Sequence, residues 1–428
     1  MKIVHIIPGS GDTFYCENCL RDCSLVKELR RQGEDITMVP MYLPLFQDNP
    51  GMTADAPVFF GGINVYLQQK LGLFRRTPRW IDQLFDSNWL LKMAARKSGS
   101  TRADALGGMT VSMLSGEEGF QSKEIERLMD WLREQEKPDL IHISNALLLG
   151  LADTIKRDLD VPVFCSLQDE DVWIDAMKAK DRDLCWQKIK EKAESVDMFI
   201  AVSNYYAGVM QRRLNLPAEK LRVVRLGVDT DGFKKSILPE NPAVIGFMAR
   251  MSQPLGLGLL IEAFTILKKM DGYRDAKLRV CGGSTADDRA FLQRCKRDLV
   301  QAGVDADVEF ISEFHHEARI EFLQSLSLLS VPSLHGSAFG SYLIEAMAAG
   351  VPVVQPDIGS FPEIVNESGG GVIYTPNTPE RLAECIGELL SKPHYMSELG
   401  NAGKDAAKSQ FSIERMATEL LNLYREMT

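Results

Sequence analysis

The sequence predicts an α/β fold made of two doubly wound, Rossmann-like domains that face one another across a cleft. Three observations lead there. Short apolar runs alternate with helix-period segments in both halves, the pattern of parallel strands covered on both faces. Between the two series lies Lys234 to Pro242, KKSILPENP, with two prolines and no periodicity, which reads as a linker. The 428 residues also allow two to three domains by the rule of ~150 residues each.

In the first half, Lys2 to Ile7 is apolar enough for a buried strand, and PGSGDTFYC supplies a tight glycine loop before a helix around Leu20 to Arg31. Gly9 and Gly11 lack the third glycine of a dinucleotide fingerprint, since Phe14 stands there. Asp35 to Met41 reads as a second strand. No clean alternation follows until Asp139, which marks an insertion at about 50–128. Within it Arg75, Arg76, Arg79 and Lys92 interleave with Phe74, Trp80, Trp89 and Leu90, a composition suited to peripheral contact with an anionic membrane or a lipid-linked acceptor, and equally to a solvated helix pair.

From Leu140 the alternation resumes with strands LIHIS, PVFCSL, FIAVS and LRVVRL, and with helices over Asn145–Leu159 and Asn204–Leu214. Parallel sheets carry function at the carboxyl ends of their strands, and polar clusters fall there: His142 with Ser144 and Asn145, Gln168 to Asp171, and Ser203 with Asn204. The second half repeats the pattern through AVIGFMA, KLRVCGG, DVEFIS and SLLSVPS, with helices over 257–269, 287–302 and 317–324. The last helix, Ser412 to Met427, gathers Met416, Leu420, Leu423, Tyr424 and Met427 on one face.

The densest signal is His335 to Pro352, HGSAFGSYLIEAMAAGVP. A glycine before a helix leaves the first N–H groups of Ser341, Tyr342 and Leu343 aimed at one spot, where the macrodipole favours negative charge. Such a spot suits a phosphate. Glu345 sits four residues inside the helix, so its carboxylate leans back towards the same end and can accept from paired sugar hydroxyls. FGSYLIEAMAAGVPVV resembles the donor-site signature of retaining, nucleotide-sugar-dependent glycosyltransferases of family 4, which have the two-domain GT-B fold. Further matches follow in order: RLGVDTDGF (225–233), GFMAR (246–250), LLIEAF (259–264), RVCGGS (279–284), FPEIV (361–365) and FSIERMA (411–417).

The resemblance implies a donor domain over 243–410, an acceptor-side domain over 1–233, and a closing segment 411–428 that crosses back to the first domain. It implies transfer of a sugar from a nucleotide diphosphate donor to a glycan, lipid or small-molecule acceptor. Arg250, directly after a strand, takes the departing diphosphate, a task suited to a guanidinium. Phe339, Gly340, Ser341, Tyr342, Leu343 and Glu345 line the donor, with Gly11 facing the transferring sugar and Glu313 presenting backbone to the base. Glu363, at the family's P-E position, borders the donor or complements a helix dipole. Three positions depart from the family: Leu255 replaces its lysine, Ser337 the first of its paired glutamates, and Ser144 a histidine, although His142 is kept. Catalytic candidates are therefore Arg250, Ser337 and His142, with Asn145, Asp169 and Asp171 on the acceptor side. A serine can bond a sugar hydroxyl but cannot stabilise a developing cation as a carboxylate does.

Composition narrows the partners. A formal charge of −10 argues against a general nucleic-acid binder. Eight scattered cysteines form no disulfide framework, and Cys16, Cys19 and Cys23 have no second pair to complete a metal site. No metal or cofactor is expected. A start too short for a secretory signal, with no apolar run approaching ~18 residues, points to the cytoplasm.

Overall fold

The computed structural model describes residues 1–9, 17–41, 103–234, 238 and 241–428. Two six-stranded parallel sheets organise them, as the alternation predicts. In the first, the order is β2-β1-β3-β4-β5-β6, with β1 Lys2–Ile7, β2 Asp35–Pro40, β3 Leu140–Ile143, β4 Val163–Leu167, β5 Met198–Ala201 and β6 Leu221–Val223. The second runs β12-β11-β10-β7-β8-β9, with β7 Val244–Met248, β8 Lys277–Cys281, β9 Val308–Ile311, β10 Leu328–Leu329, β11 Val353–Pro356 and β12 Gly371–Tyr374. β3, β4, β5 and β11 are buried along their whole length, as strands covered by helices on both faces must be.

Strand order fixes where a ligand can enter. In the first sheet the chain winds outward from β1 to β2, then resumes on the other side of β1 with β3. In the second it winds from β7 to β8 and β9, then resumes beside β7 with β10. Crevices open at such reversals, outside the carboxyl ends of the strands. Arg250 follows β7 and the 335–341 segment follows β10, so both border the reversal of the second sheet.

The C-terminal helix, Ile413–Met427, crosses back as expected. Met416, Leu420 and Tyr424 are buried against the helix Glu17–Arg31 and the outer face of the first sheet, joined by Ile413, Ala417 and Leu421. The crossover is pinned by main chain: Val228 N–H donates to Phe411 O at 3.0 Å, and Ile413 N–H donates to Val228 O at 2.9 Å.

Several expectations shift in detail. The helix expected over 145–159 begins as a 3₁₀ segment, Ala146–Leu151, before the α-helix Ala152–Leu159. SLLSVPS forms only Leu328–Leu329, since Pro332 brings no N–H to continue a ladder. Residues 103–134, assigned mostly to an insertion, form helices Ala103–Leu114 and Ser122–Glu134, whose Leu114, Ile125, Leu128, Met129 and Leu132 join the core. The basic and aromatic stretch 71–97 lies outside the described residues.

Leu420 is 1% exposed in the contact between the C-terminal helix and the first domain. Leu420→Ala is expected to cost about 2–5 kcal/mol of stability, read as a lowered midpoint in urea unfolding. A loss below ~1 kcal/mol would show that this helix adds little to the fold.

Candidate active site in the interdomain cleft

The loops at the carboxyl ends of the second sheet pack against one another. Gly256, with φ +80°, lets the turn after β7 approach the chain after β10: a Cβ there would stand 1.8 Å from Pro332 O. Leu334 N–H donates to Pro254 O at 2.9 Å, so the loop that follows Arg250 touches the loop that leads to Gly340. Arg250 is held by the chain after β8: its Nε donates to Asp288 Oδ2 at 2.9 Å and its Nη2 to Thr285 Oγ1 at 2.8 Å. Asp288 also closes a capping box with Thr285 at the start of the following helix, which fixes the carboxylate that holds the guanidinium.

Glu345 lies buried in the helix Ser341–Ala348 and pairs with Arg319, whose Nε donates to Glu345 Oε2 at 3.0 Å. Arg319 also donates through Nη1 to Phe314 O at 2.9 Å, tying the chain after β9 to the carboxylate. Glu313 itself is exposed, and its carbonyl accepts the Cys281 thiol at 3.2 Å.

The opening of the helix is occupied from the other domain. Gly340 is its N-cap, with φ +117° and no side chain to serve the first amides. Glu17, at the start of the helix Glu17–Arg31, fills that role: its Oε2 accepts the Ser341 N–H at 2.6 Å and the Ser341 hydroxyl at 2.8 Å. Beside it, Asp169 Oδ1 accepts the Ala338 N–H at 2.6 Å, and Ser203 Oγ donates to Ala338 O at 2.6 Å. Burial pushes the Glu17 carboxyl up to about 7 against the pull of the two Ser341 donors, with the Glu345 charge adding to the rise. Asp169 is pushed up to about 8 by burial, opposed by the Ala338 amide and reinforced by Glu17, Asp171 and Glu170. Tyr342 is fully buried next to Gly340, and its hydroxyl makes no hydrogen bond of good geometry, with the Ser337 side chain beside it.

The interdomain contact thus brings Ala338 and Ser341 from one side against Glu17, Asp169 and Ser203 from the other, while Phe339, Tyr342 and Leu343 are buried in the core behind them. Asn145 caps the 3₁₀ segment after β3 by accepting from Leu147 N at 3.0 Å, and Asp171 accepts from the Tyr206 hydroxyl at 3.0 Å. Gly11 and Cys16 lie outside the described residues. Two expectations need correction. His142 does not face the cleft: it is 0% exposed, its Nδ1 meets the Tyr424 hydroxyl, and its Nε2 meets Ser166 Oγ at 2.9 Å. Burial holds it well below the usual imidazole range, so it is a neutral histidine of the core under the C-terminal helix. Glu363 turns to the first domain, where it accepts from the N–H groups of Asn204 and Tyr205 at 3.0 Å and caps the helix Asn204–Leu214. Leu255 packs partly buried against the core.

Sequence reasoning missed Glu17, Asp288 and Arg319. Arg319 carried a signal, since it precedes the buried Phe322 and Leu323 by three and four positions on one helix face, where a cation needs a buried counter-charge. Glu17 carried none, because its partner lies 324 residues away. Among the described residues no group of three or more His, Cys, Asp or Glu side chains is arranged to hold a metal ion.

The geometry agrees with comparison to known proteins. Residues 229–406 match the family model described as glycosyl transferases group 1, and residues 108–232 match that of glycosyltransferase family 4. A D-inositol 3-phosphate glycosyltransferase from Corynebacterium efficiens is 23% identical over 324 residues, which cover 74% of this chain and 70% of the relative. A sucrose-phosphate synthase from Thermosynechococcus elongatus superimposes with a TM-score of 0.74 at 18% identity, covering 99% of this chain and 98% of its own. HepE from Anabaena, solved in complex with UDP and glucose, gives 0.69 at 15% identity and 99% coverage of each chain. These similarities establish the fold.

Asp169 has φ +56°, a conformation that Asn tolerates as well as Asp, so Asp169→Asn removes the charge with little change to the backbone. A carboxyl with an ordinary value of 3.8 raised to about 8 makes the folded state bind the extra proton. Its contribution is then most favourable below the unfolded value and is lost as pH rises through the folded one. The variant is expected to gain on the parent protein between pH 4 and pH 8 by about 1–3 kcal/mol, followed by urea unfolding at several pH values. A gap that stays constant, or reverses, would show that the cleft solvates this carboxylate.

Proposed function

The chain is a glycosyltransferase of the family 4, GT-B type, and from that premise we propose that it moves a sugar from a nucleotide diphosphate sugar to an acceptor with retention at the anomeric carbon. The observation that carries the proposal is the anion seat at Gly340 and Ser341: two donors converge there on one oxygen, at the strand-order reversal of the second sheet. A fold neighbour solved with UDP and glucose supports a nucleotide-sugar ligand.

As the glycosidic bond breaks, negative charge gathers on the departing diphosphate, and preorganised donors there lower the barrier. Arg250 and the first amides of the helix Ser341–Ala348 take that role, with no metal assigned. Asp288 and Thr285 orient the guanidinium at the end of β7. Glu345, oriented through one oxygen by Arg319, receives the ribose hydroxyls. Ser337 faces the transferred sugar, and Asn145, Asp169 and Asp171 lie on the acceptor side. Closure of the two domains aligns the acceptor and excludes water.

Cys165, Cys185, Cys281, Cys295 and Cys385 are free thiols, which suits a reducing compartment, and we assign the protein to the cytoplasm. No helix among the described residues is long and apolar enough to cross a membrane.

A second reading, a GT-B protein that binds a nucleotide or glycan without turnover, draws on Leu255, Ser337 and Ser144. A panel of UDP-, GDP- and ADP-sugars separates the two, since a binder is stabilised by nucleotide without releasing it from the sugar. For the transferase, Arg250→Ala is expected to lower turnover by about 10²–10³ with the melting temperature nearly unchanged. A loss smaller than ~10-fold would remove Arg250 from the diphosphate.

A further inference from the structure

The seat assigned to the donor's phosphate already holds an acid side chain, and that side chain belongs to the protein. We infer that Glu17 sets donor affinity: its carboxylate sits where a phosphate oxygen of the nucleotide diphosphate would sit, and it must leave Ser341 before the donor can bind. The inference rests on the donor reading above and adds to it a residue from the opposite domain.

The geometry is that of a bound anion. One oxygen, Glu17 Oε2, takes both the amide and the hydroxyl of Ser341, at 2.6 and 2.8 Å. The N-cap, Gly340, has no side chain to offer these donors; a Cβ there would press at 3.3 Å on both Tyr342 and Phe361. Two like charges cannot share that space without a large electrostatic penalty.

A second feature shows that a carboxylate is not the best occupant. The Tyr342 hydroxyl, 0% exposed, makes no hydrogen bond of good geometry, and it lies 3.4 Å from where a Gly340 Cβ would stand. Glu17 and Asp169 are the charges that act on it, and the Ser337 side chain is also near. Leaving such a group without a good partner is unfavourable. A phosphate brings more acceptor oxygens than Glu17 offers, so one can take Ser341 while another takes Tyr342. The seat is therefore more fully satisfied by phosphate than by its present occupant.

Release of Glu17 also couples binding to the domains. Glu17 belongs to the first domain and Ser341 to the second, and the neighbouring bond from Ala338 N–H to Asp169 spans the same gap. Donor binding thus loosens one of the contacts between the two domains. A protein that spends most of its time with the seat taken binds donor more weakly by the fraction of time the seat is open.

The test is calorimetric titration of UDP, GDP and ADP, separately, into the full chain and its Glu17→Gln and Glu17→Ala variants, with Tyr342→Phe beside them. If the seat is taken about nine-tenths of the time, Glu17→Ala tightens the best nucleotide about tenfold, while Tyr342→Phe weakens it. Equal or weaker binding by the Glu17 variants, with the parent binding normally, overturns the inference and leaves the donor reading standing. Binding of none of the three nucleotides to any form overturns the donor reading and the inference with it. Hydrogen exchange on the unaltered protein guards against a variant that fails to fold. Saturating nucleotide should raise exchange over residues 17–20 and keep 341–343 protected, and unchanged exchange at 17–20 also overturns the inference.

Discussion

A helix cannot satisfy its own first amides, and this chain satisfies some of them from across the cleft. The second domain's helix Ser341–Ala348 receives Glu17 from the first. In return Glu363, from the second domain, receives the amides of Asn204 and Tyr205 at the start of a first-domain helix. Reciprocal capping follows from the topology: doubly wound parallel sheets gather helix N-termini on the side of the strands' carboxyl ends, and two such sides face each other. Unpaired helix amides and carboxylates are complementary there, so the domains dock through the same groups that would otherwise bind a ligand.

The two caps differ in surroundings. Glu363 keeps 16% of its side chain exposed and has Arg225 nearby at 4.0 Å. Glu17 is half-buried beside Asp169 and Glu345, so charge there is opposed by its neighbours as well as by desolvation. One contact is a solvated, charge-paired cap and the other a cap whose charge is opposed by its surroundings. Strain that the surrounding fold imposes on a functional site is available to a ligand that relieves it.

The architecture was legible because parallel strands buried on both faces leave an apolar run that sequence shows directly, as in LIHIS and FIAVS. The start of the helix Ser341–Ala348 was legible through the glycine that precedes it. What remained hidden were partnerships across long sequence distance. Nothing local marks Glu17 as a cap or commits Glu363 to Asn204. His142 misled for a related reason: a histidine on a buried strand has the same local sequence whether it meets substrate or, as here, Tyr424 from the last helix. Burial of the partner decides, and that is a tertiary fact.

The departures from the family pattern gain meaning from this arrangement. Leu255 removes a cation and Ser337 removes a carboxylate, so the two changes cancel in net charge within one set of adjoining loops. The cation's place is taken by apolar packing, since Leu255 lies against the core. The carboxylate's neighbourhood is not left empty, because Asp169 reaches Ala338, the residue after Ser337, from the opposite domain at 2.6 Å. A carboxyl group therefore still stands at this point, pushed towards its neutral form by burial, and its presence depends on the two domains being in contact. In a protein built this way, the acid group beside Ser337 is set by domain position as much as by the second domain's own sequence.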